Sequence, residues 1–70
     1  MINIKNLTNA DIGRFVIYTD EKRGKIKNWN TTYIFVVYNC SNEWDNYKNY
    51  TAAATCPADL KFEEITNGLL

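Results

Sequence analysis

Apolar and polar positions alternate along two stretches of the chain and run together along a third, a contrast that predicts a small β protein. Residues 14 to 19 (RFVIYT) are rich in β-branched and aromatic side chains, which suit a pleated surface. The polar run Asp20-Glu21-Lys22-Arg23-Gly24 that follows has the composition of a turn. Residues 24 to 29 (GKIKNW) resume a period of two, Asn30-Thr31 is a turn candidate, and residues 32 to 40 (TYIFVVYNC) make the strongest strand. Strands two and three are expected to pair as a hairpin. Residues 41 to 48 (SNEWDNYK) are dense in turn formers and read as an exposed loop. Residues 49 to 56 (NYTAAATC) suit either a helix, through their alanines, or a strand. Tyr50, Thr51 and Thr55 favour the strand, and Pro57 holds Cys56 extended, so strand is the reading. Residues 57 to 60 (PADL) suit one helical turn with proline at its first position, and residues 61 to 65 a short closing strand.

Side-chain alternation assigns faces. On strand two only Ile26 is strongly apolar, so it should point to the core and send Lys25, Lys27 and Trp29 outward. Residues 33 to 38 (YIFVVY) are apolar on both faces. If Ile34, Val36 and Tyr38 fill the core, then Tyr33, Phe35 and Val37 share the outer face with Trp29; a one-residue change in the turn would exchange the two sets. Either parity leaves a second apolar row. Each large apolar side chain gains about 1.5–3 kcal/mol on full burial, so this row is expected to be covered. The covers on offer are residues 2 to 7, the tail ending Gly68-Leu69-Leu70, or another molecule.

Five short strands on a small chain must deal with two open edges, and rolling the sheet into a barrel does so. The expected fold is all-β: a small five-stranded SH3-like barrel with one helical turn before the last strand. It would form a single domain over residues 1 to 70, with its core at about 10 to 65 and an arm and a tail flanking it. The succession D-I-G-R-x-V-x-Y (residues 11 to 18), G-x-I-x-x-W (24 to 29), Y-I-F-V-x-Y (33 to 38), Y-T-x-x-A-T (50 to 55) and P-x-D-L-x-F (57 to 62) resembles small uncharacterised proteins of bacteriophages and prophages with an SH3-like or Tudor-like pattern. The resemblance implies a phage origin and a binding module acting in the bacterial host cytoplasm. It implies no chemistry and no functional residues.

Composition narrows the function. With 46% hydrophobic and 14% aromatic residues the chain is expected to fold. Eight basic residues balance eight acidic ones, so no strong net field steers it toward nucleic acid or an anionic membrane. The balance is uneven along the chain: residues 1 to 27 carry six basic and three acidic side chains, and residues 28 to 70 carry two and five. The first residues lack the pattern of a signal peptide, and no apolar run is long enough to span a bilayer, so the chain reads as cytoplasmic. In that compartment Cys40 and Cys56 are expected to be free thiols, lying at opposite ends of a hairpin about 20 Å apart. Four glycosylation sequons are discounted in a chain with ten asparagines. There is no histidine, which excludes Ser-His and Cys-His nucleophiles and histidine-ligated metals. The acids Asp20-Glu21 and Glu63-Glu64 are neighbours in sequence and read as solvated charge. Three isolated glycines form no phosphate-binding loop. No enzyme, cofactor or metal is expected.

Three binding readings remain. In the first, Trp29, Tyr33, Phe35 and Val37 on the outer face, with Trp44, Tyr47 and Tyr50 of the loop, bind a host protein, modulating it or acting as a counter-defence, or bind a second copy of the chain. Alternatively Trp44 caps one end of the barrel while the tyrosines shield strand edges. In the second reading Lys22, Arg23, Lys25, Lys27 and Trp29 bind nucleic acid in the manner of KOW or Tudor-like domains, with lysines on phosphate and tryptophan stacked on a base. In the third, Trp29, Trp44, Lys25 and Lys27 enclose a small nucleotide. An aromatic cage for a methylated amine is a further candidate.

Overall fold

The computed structural model describes residues 1 to 63. Its five strands form one antiparallel sheet in the order β4-β3-β2-β1-β5, with β1 at Phe15–Ile17, β2 at Arg23–Trp29, β3 at Ile34–Val37, β4 at Ala53–Thr55 and β5 at Lys61–Phe62. Short 3-10 segments occur at Ile4–Asn6, Asn9–Asp11, Trp44–Asn49 and Pro57–Asp59. The strands and the turn before the last one stand where the residue pattern predicts them, but β1, β3 and β4 are shorter, while β2 begins one residue earlier, at Arg23. β1 is stopped at its end by the turn in which the Tyr18 N–H donates to the Lys22 carbonyl at 2.8 Å. The ambiguous stretch 49 to 56 is strand over Ala53–Thr55, after a 3-10 segment that ends at Asn49. Residues 64 and 65 of the expected closing strand, and the tail 68 to 70 considered as a cover, lie outside the described residues.

The sheet is open, not closed. β4 and β5 form its two edges, joined through the proline-initiated Pro57–Asp59 turn instead of hydrogen-bonded to each other. At three and two residues these edge strands are too short to wrap round and meet.

One face holds the main core. Val16, Ile26, Ile34 and Val36 are fully buried on it, and Ile2 and Leu60 close over them. The Ile2 N–H donates to the Pro57 carbonyl at 3.0 Å, so the first residues lie across the sheet, with Ile4 and Leu7 packed beside Ile2. Residues 2 to 7 thus cover the face of Ile26, Ile34 and Val36, and not the second apolar row of Phe35 and Val37 for which the residue pattern offers them; that row is covered by another segment.

Two irregularities shape the sheet. Gly13 and Arg14 both face Ile26: the Gly13 N–H donates to the Ile26 carbonyl at 2.8 Å, and the Ile26 N–H to the Arg14 carbonyl at 3.1 Å. Two residues opposite one make a bulge, and Gly13 takes the positive φ of 89° that it requires. The second lies between Ile26 and Asn28, where Ile26 pairs with Val36 but Asn28 pairs with Phe35 and Trp29 with Ile34. Lys27 is the extra residue. Past it the alternation flips, so Trp29 joins Ile34 on the core face and packs against the main cluster. The expectation that Trp29 shares a face with Lys25, Lys27 and Phe35 is therefore corrected.

Candidate functional site

The second face of the sheet is closed from within the chain. Trp44, Tyr47 and Tyr50 recur every third residue, and a 3-10 helix has three residues per turn, so a 3-10 segment places all three on one side. That side lies on the sheet. Tyr47 is 7% exposed and forms a second cluster with the fully buried Val37 and with Cys40, flanked by Trp44, Tyr50 and Ala52. Trp44 meets Phe15 edge to face, with ring centroids 5.3 Å apart. The segment enters through Ser41 and Asn42, both at positive φ, and kinks at Asn46. Within it the Tyr50 hydroxyl donates to a Glu43 carboxylate oxygen at 3.0 Å, which raises the Tyr50 phenol above its ordinary value.

The basic stripe of β2 is the clasp of this loop. Lys25 Nζ donates to the Trp44 carbonyl at 3.3 Å and Lys27 Nζ to the Tyr50 carbonyl at 2.9 Å, at the two ends of the aromatic segment. Lys25 Nζ also stands 4.9 Å from the Phe15 ring centre and 5.0 Å from that of Tyr47. Arg23 stacks on the other side of this arrangement, its guanidinium carbon 3.5 Å from the Phe15 centre, and forks onto Glu63 at 2.6 and 2.9 Å. A lysine over an aromatic face with its head on a carbonyl is a partly desolvated, charge-assisted contact. Lys22 differs: it is exposed, with its Nζ 5.5 Å from the Tyr38 ring centre.

The residues proposed for a partner are thereby distributed. Val37 and Tyr47 are buried against each other; Phe35, Trp44 and Tyr50 are half-buried; Trp29 is half-buried on the opposite face; Tyr33, at the β2–β3 turn, is 44% exposed. No continuous aromatic surface joins them. Trp29 and Trp44 lie on opposite faces, so the aromatic pair of the nucleotide-enclosing reading is not brought together.

A groove that the residue pattern did not single out lies at one end of the core face, next to β4. Of about 380 Å³, it is lined by Tyr18, Tyr38, Ala53, Asp20, Lys22 and Asp59, among others. Tyr18 and Tyr38 follow the buried Val16 and Val36 by two residues, so alternation points them the same way, and the β1-β2-β3 meander brings them to one end. Their rings meet edge to face at 6.0 Å. That spacing was the available signal. The Tyr38 hydroxyl lies 2.9 Å from that of Thr55, on the adjoining strand. Burial raises the Tyr38 phenol above its ordinary value of 10, the Thr55 hydroxyl pulls it partly back, and Tyr18, Asp20 and Asp59 add to the rise.

A group whose folded-state value is raised supports the fold fully below its unfolded value, and that support is lost as pH rises through the folded one. Stability is therefore expected to decline above pH 10 in part through Tyr38. In urea unfolding followed at intervals from neutral to alkaline pH, Tyr38→Phe should decline less steeply in this window than the parent chain; identical slopes would show that Tyr38 ionises without consequence.

Among the described residues no cluster of three or more His, Cys, Asp or Glu is placed to hold a metal ion, and no helix is long and apolar enough to cross a membrane. Cys40 is buried and Cys56 exposed, and both are free thiols. No protein-family model, curated protein or solved structure matches the chain.

Proposed function

We propose that this protein is a non-enzymatic binding module with an SH3-like arrangement of strands, and that it engages a protein partner along the β4 edge and the adjoining groove. In the setting the resemblance implies, it is a bacteriophage accessory protein that modulates or inhibits a host factor. The SH3-like reading draws on a four-strand meander whose fifth strand returns, after one 3-10 turn, to pair with the first. The binding reading rests on one observation: among the described residues β4 is hydrogen-bonded to β3 alone, and Ala53 and Ala54 leave its outer edge exposed next to a tyrosine-lined groove. The sheet face proposed from the residue pattern contributes less, because the aromatic loop occupies it.

The same geometry weighs against nucleic acid as the ligand. Phosphate binding needs several uncommitted cations, and Lys25, Lys27 and Arg23 are held by Trp44, Tyr50 and Glu63. The immobilised protein is expected to retain one bacterial protein in stoichiometric amount, little affected by added salt. Retention of nucleic acid alone, lost on adding salt and on Lys22→Glu, would favour the second reading instead.

A further inference from the structure

The β4 edge, short at three residues, carries no side-chain device of the kind that ordinarily protects a sheet edge. The run TAAAT (51 to 55) has no proline, no charge and no bulky side chain, and residues 49 to 56 carry no charge at all. Ala53 and Ala54 are both exposed. An edge of this kind is a template for another strand, with main-chain hydrogen bonds supplying affinity and side-chain sites beside it supplying selectivity.

The groove supplies that selectivity. Ala53 and Thr55 belong both to the strand and to the groove wall, so a strand added outside β4 runs along the groove's rim. Alternate side chains of that strand turn toward the core face, where the groove opens. Inside are two tyrosine rings and two carboxylates, Asp20 and Asp59, against one ammonium, Lys22. Asp20 spends one oxygen on the Lys22 N–H at 3.0 Å, which leaves its second oxygen for a ligand. Lys22 shows what the rings favour, since its Nζ already stands over Tyr38 at 5.5 Å while its side chain remains exposed and free to swing away.

From these observations we infer that β4 accepts an extended segment of a partner protein as a sixth strand, with a lysine or arginine side chain seated in the groove between Tyr18, Tyr38, Asp20 and Asp59. This rests on the protein-binding reading above and names its occupant. A second copy of the chain is the lesser candidate on charge grounds: pairing β4 with its own copy brings only uncharged residues to a groove with an excess of carboxylate.

The test is selection of a displayed library of random ten-residue peptides against the full chain. Enriched peptides are expected to alternate β-branched residues with one recurrent Lys or Arg. Binding of a labelled enriched peptide should weaken about tenfold or more in Asp20→Asn/Asp59→Asn, the scale of a lost charge-assisted contact. It should also vanish in Ala53→Lys, which charges the edge and the groove at an exposed position. Circular dichroism and thermal unfolding would establish that both variants keep the fold. Absence of enriched peptides, or enrichment without a basic residue, would overturn the inference. So would a dimer in light scattering that Ala53→Lys dissociates, because a second copy would then fill the edge. If a host protein is captured but binds Ala53→Lys as tightly as the parent, strand addition fails while the protein-binding reading stands; if nothing is captured, that reading fails first.

Discussion

Tyr47→Ala is expected to lower the free energy of unfolding by about 3 kcal/mol, the cost of removing a buried aromatic side chain whose cavity cannot collapse fully. Tyr47 is the centre of the cover on the second face, lying over Val37 and Cys40 with its hydroxyl end against Gly13. Its loss strips a completely buried valine and a thiol that is 1% exposed, and leaves Lys25 without one of the two rings over which it stands. A domain of this size has a net stability of only several kcal/mol, so the variant should lie close to its unfolding threshold at ambient temperature. Tyr47→Phe keeps the ring and is expected to cost about 1 kcal/mol or less. Urea titrations of the two variants check this; equal midpoints for Tyr47→Ala and the parent would mean that the loop stabilises nothing.

The second large effect is at Gly24, and it arises from close approach, not from backbone freedom. A Cβ on Gly24 would lie 2.5 Å from Val36 Cγ1, 2.8 Å from the Val37 carbonyl oxygen and 2.9 Å from Tyr38 Cδ1. Two of these atoms are anchored in the centre of the sheet, so neither can move aside without breaking β2–β3 pairing, the core of the fold. Gly24→Ala is expected to cost about 3 kcal/mol, at the upper end for overpacking, and Gly24→Val to abolish folding. The change should also displace Tyr38 and so deform the groove. A cooperative thermal transition for Gly24→Val near that of the parent would contradict the close contact.

How much of this was legible in the residue pattern depended on whether a feature was local. The strands and the turn at Pro57 follow from side-chain type and short-range geometry, which is why they fall close to where alternation and proline place them. The same alternation places Ile26 on the core face and Lys25 on the other, as the structure has them. Alternation fails at Trp29, because a single extra residue at Lys27 reverses it, and the residue types around Lys27 do not mark where a bulge falls. The doubly apolar β3 was legible as a strand needing two covers. The identity of the second cover was encoded in the three-residue spacing of Trp44, Tyr47 and Tyr50, a helical signal in a stretch whose turn formers suggested irregular loop. The residue pattern shows Lys25 and Lys27 as a stripe beside aromatic groups. That their ammonium groups cap the carbonyls of Trp44 and Tyr50 is a contact across 19 and 23 residues, which no local pattern contains. Closure of the sheet is likewise a long-range property, and edge strands this short leave it open.

The basic stripe is a clasp: Lys25 and Lys27 hold the aromatic loop down and thereby seal the second face of the sheet. The two thiols provide a direct reading, since Cys56 is exposed while Cys40 lies beneath the loop. In native protein treated with a chromogenic thiol reagent, Cys56 is expected to react at the rate of a free thiol and Cys40 far more slowly, limited by opening of the loop. Lys25→Met/Lys27→Met should accelerate Cys40 by about tenfold or more, the consequence of losing charge-assisted hydrogen bonds, and leave Cys56 unchanged. Equal, immediate reaction of both thiols in the parent chain, or a Cys40 rate indifferent to the loss of both lysines, would show that the lysines do not clasp the loop.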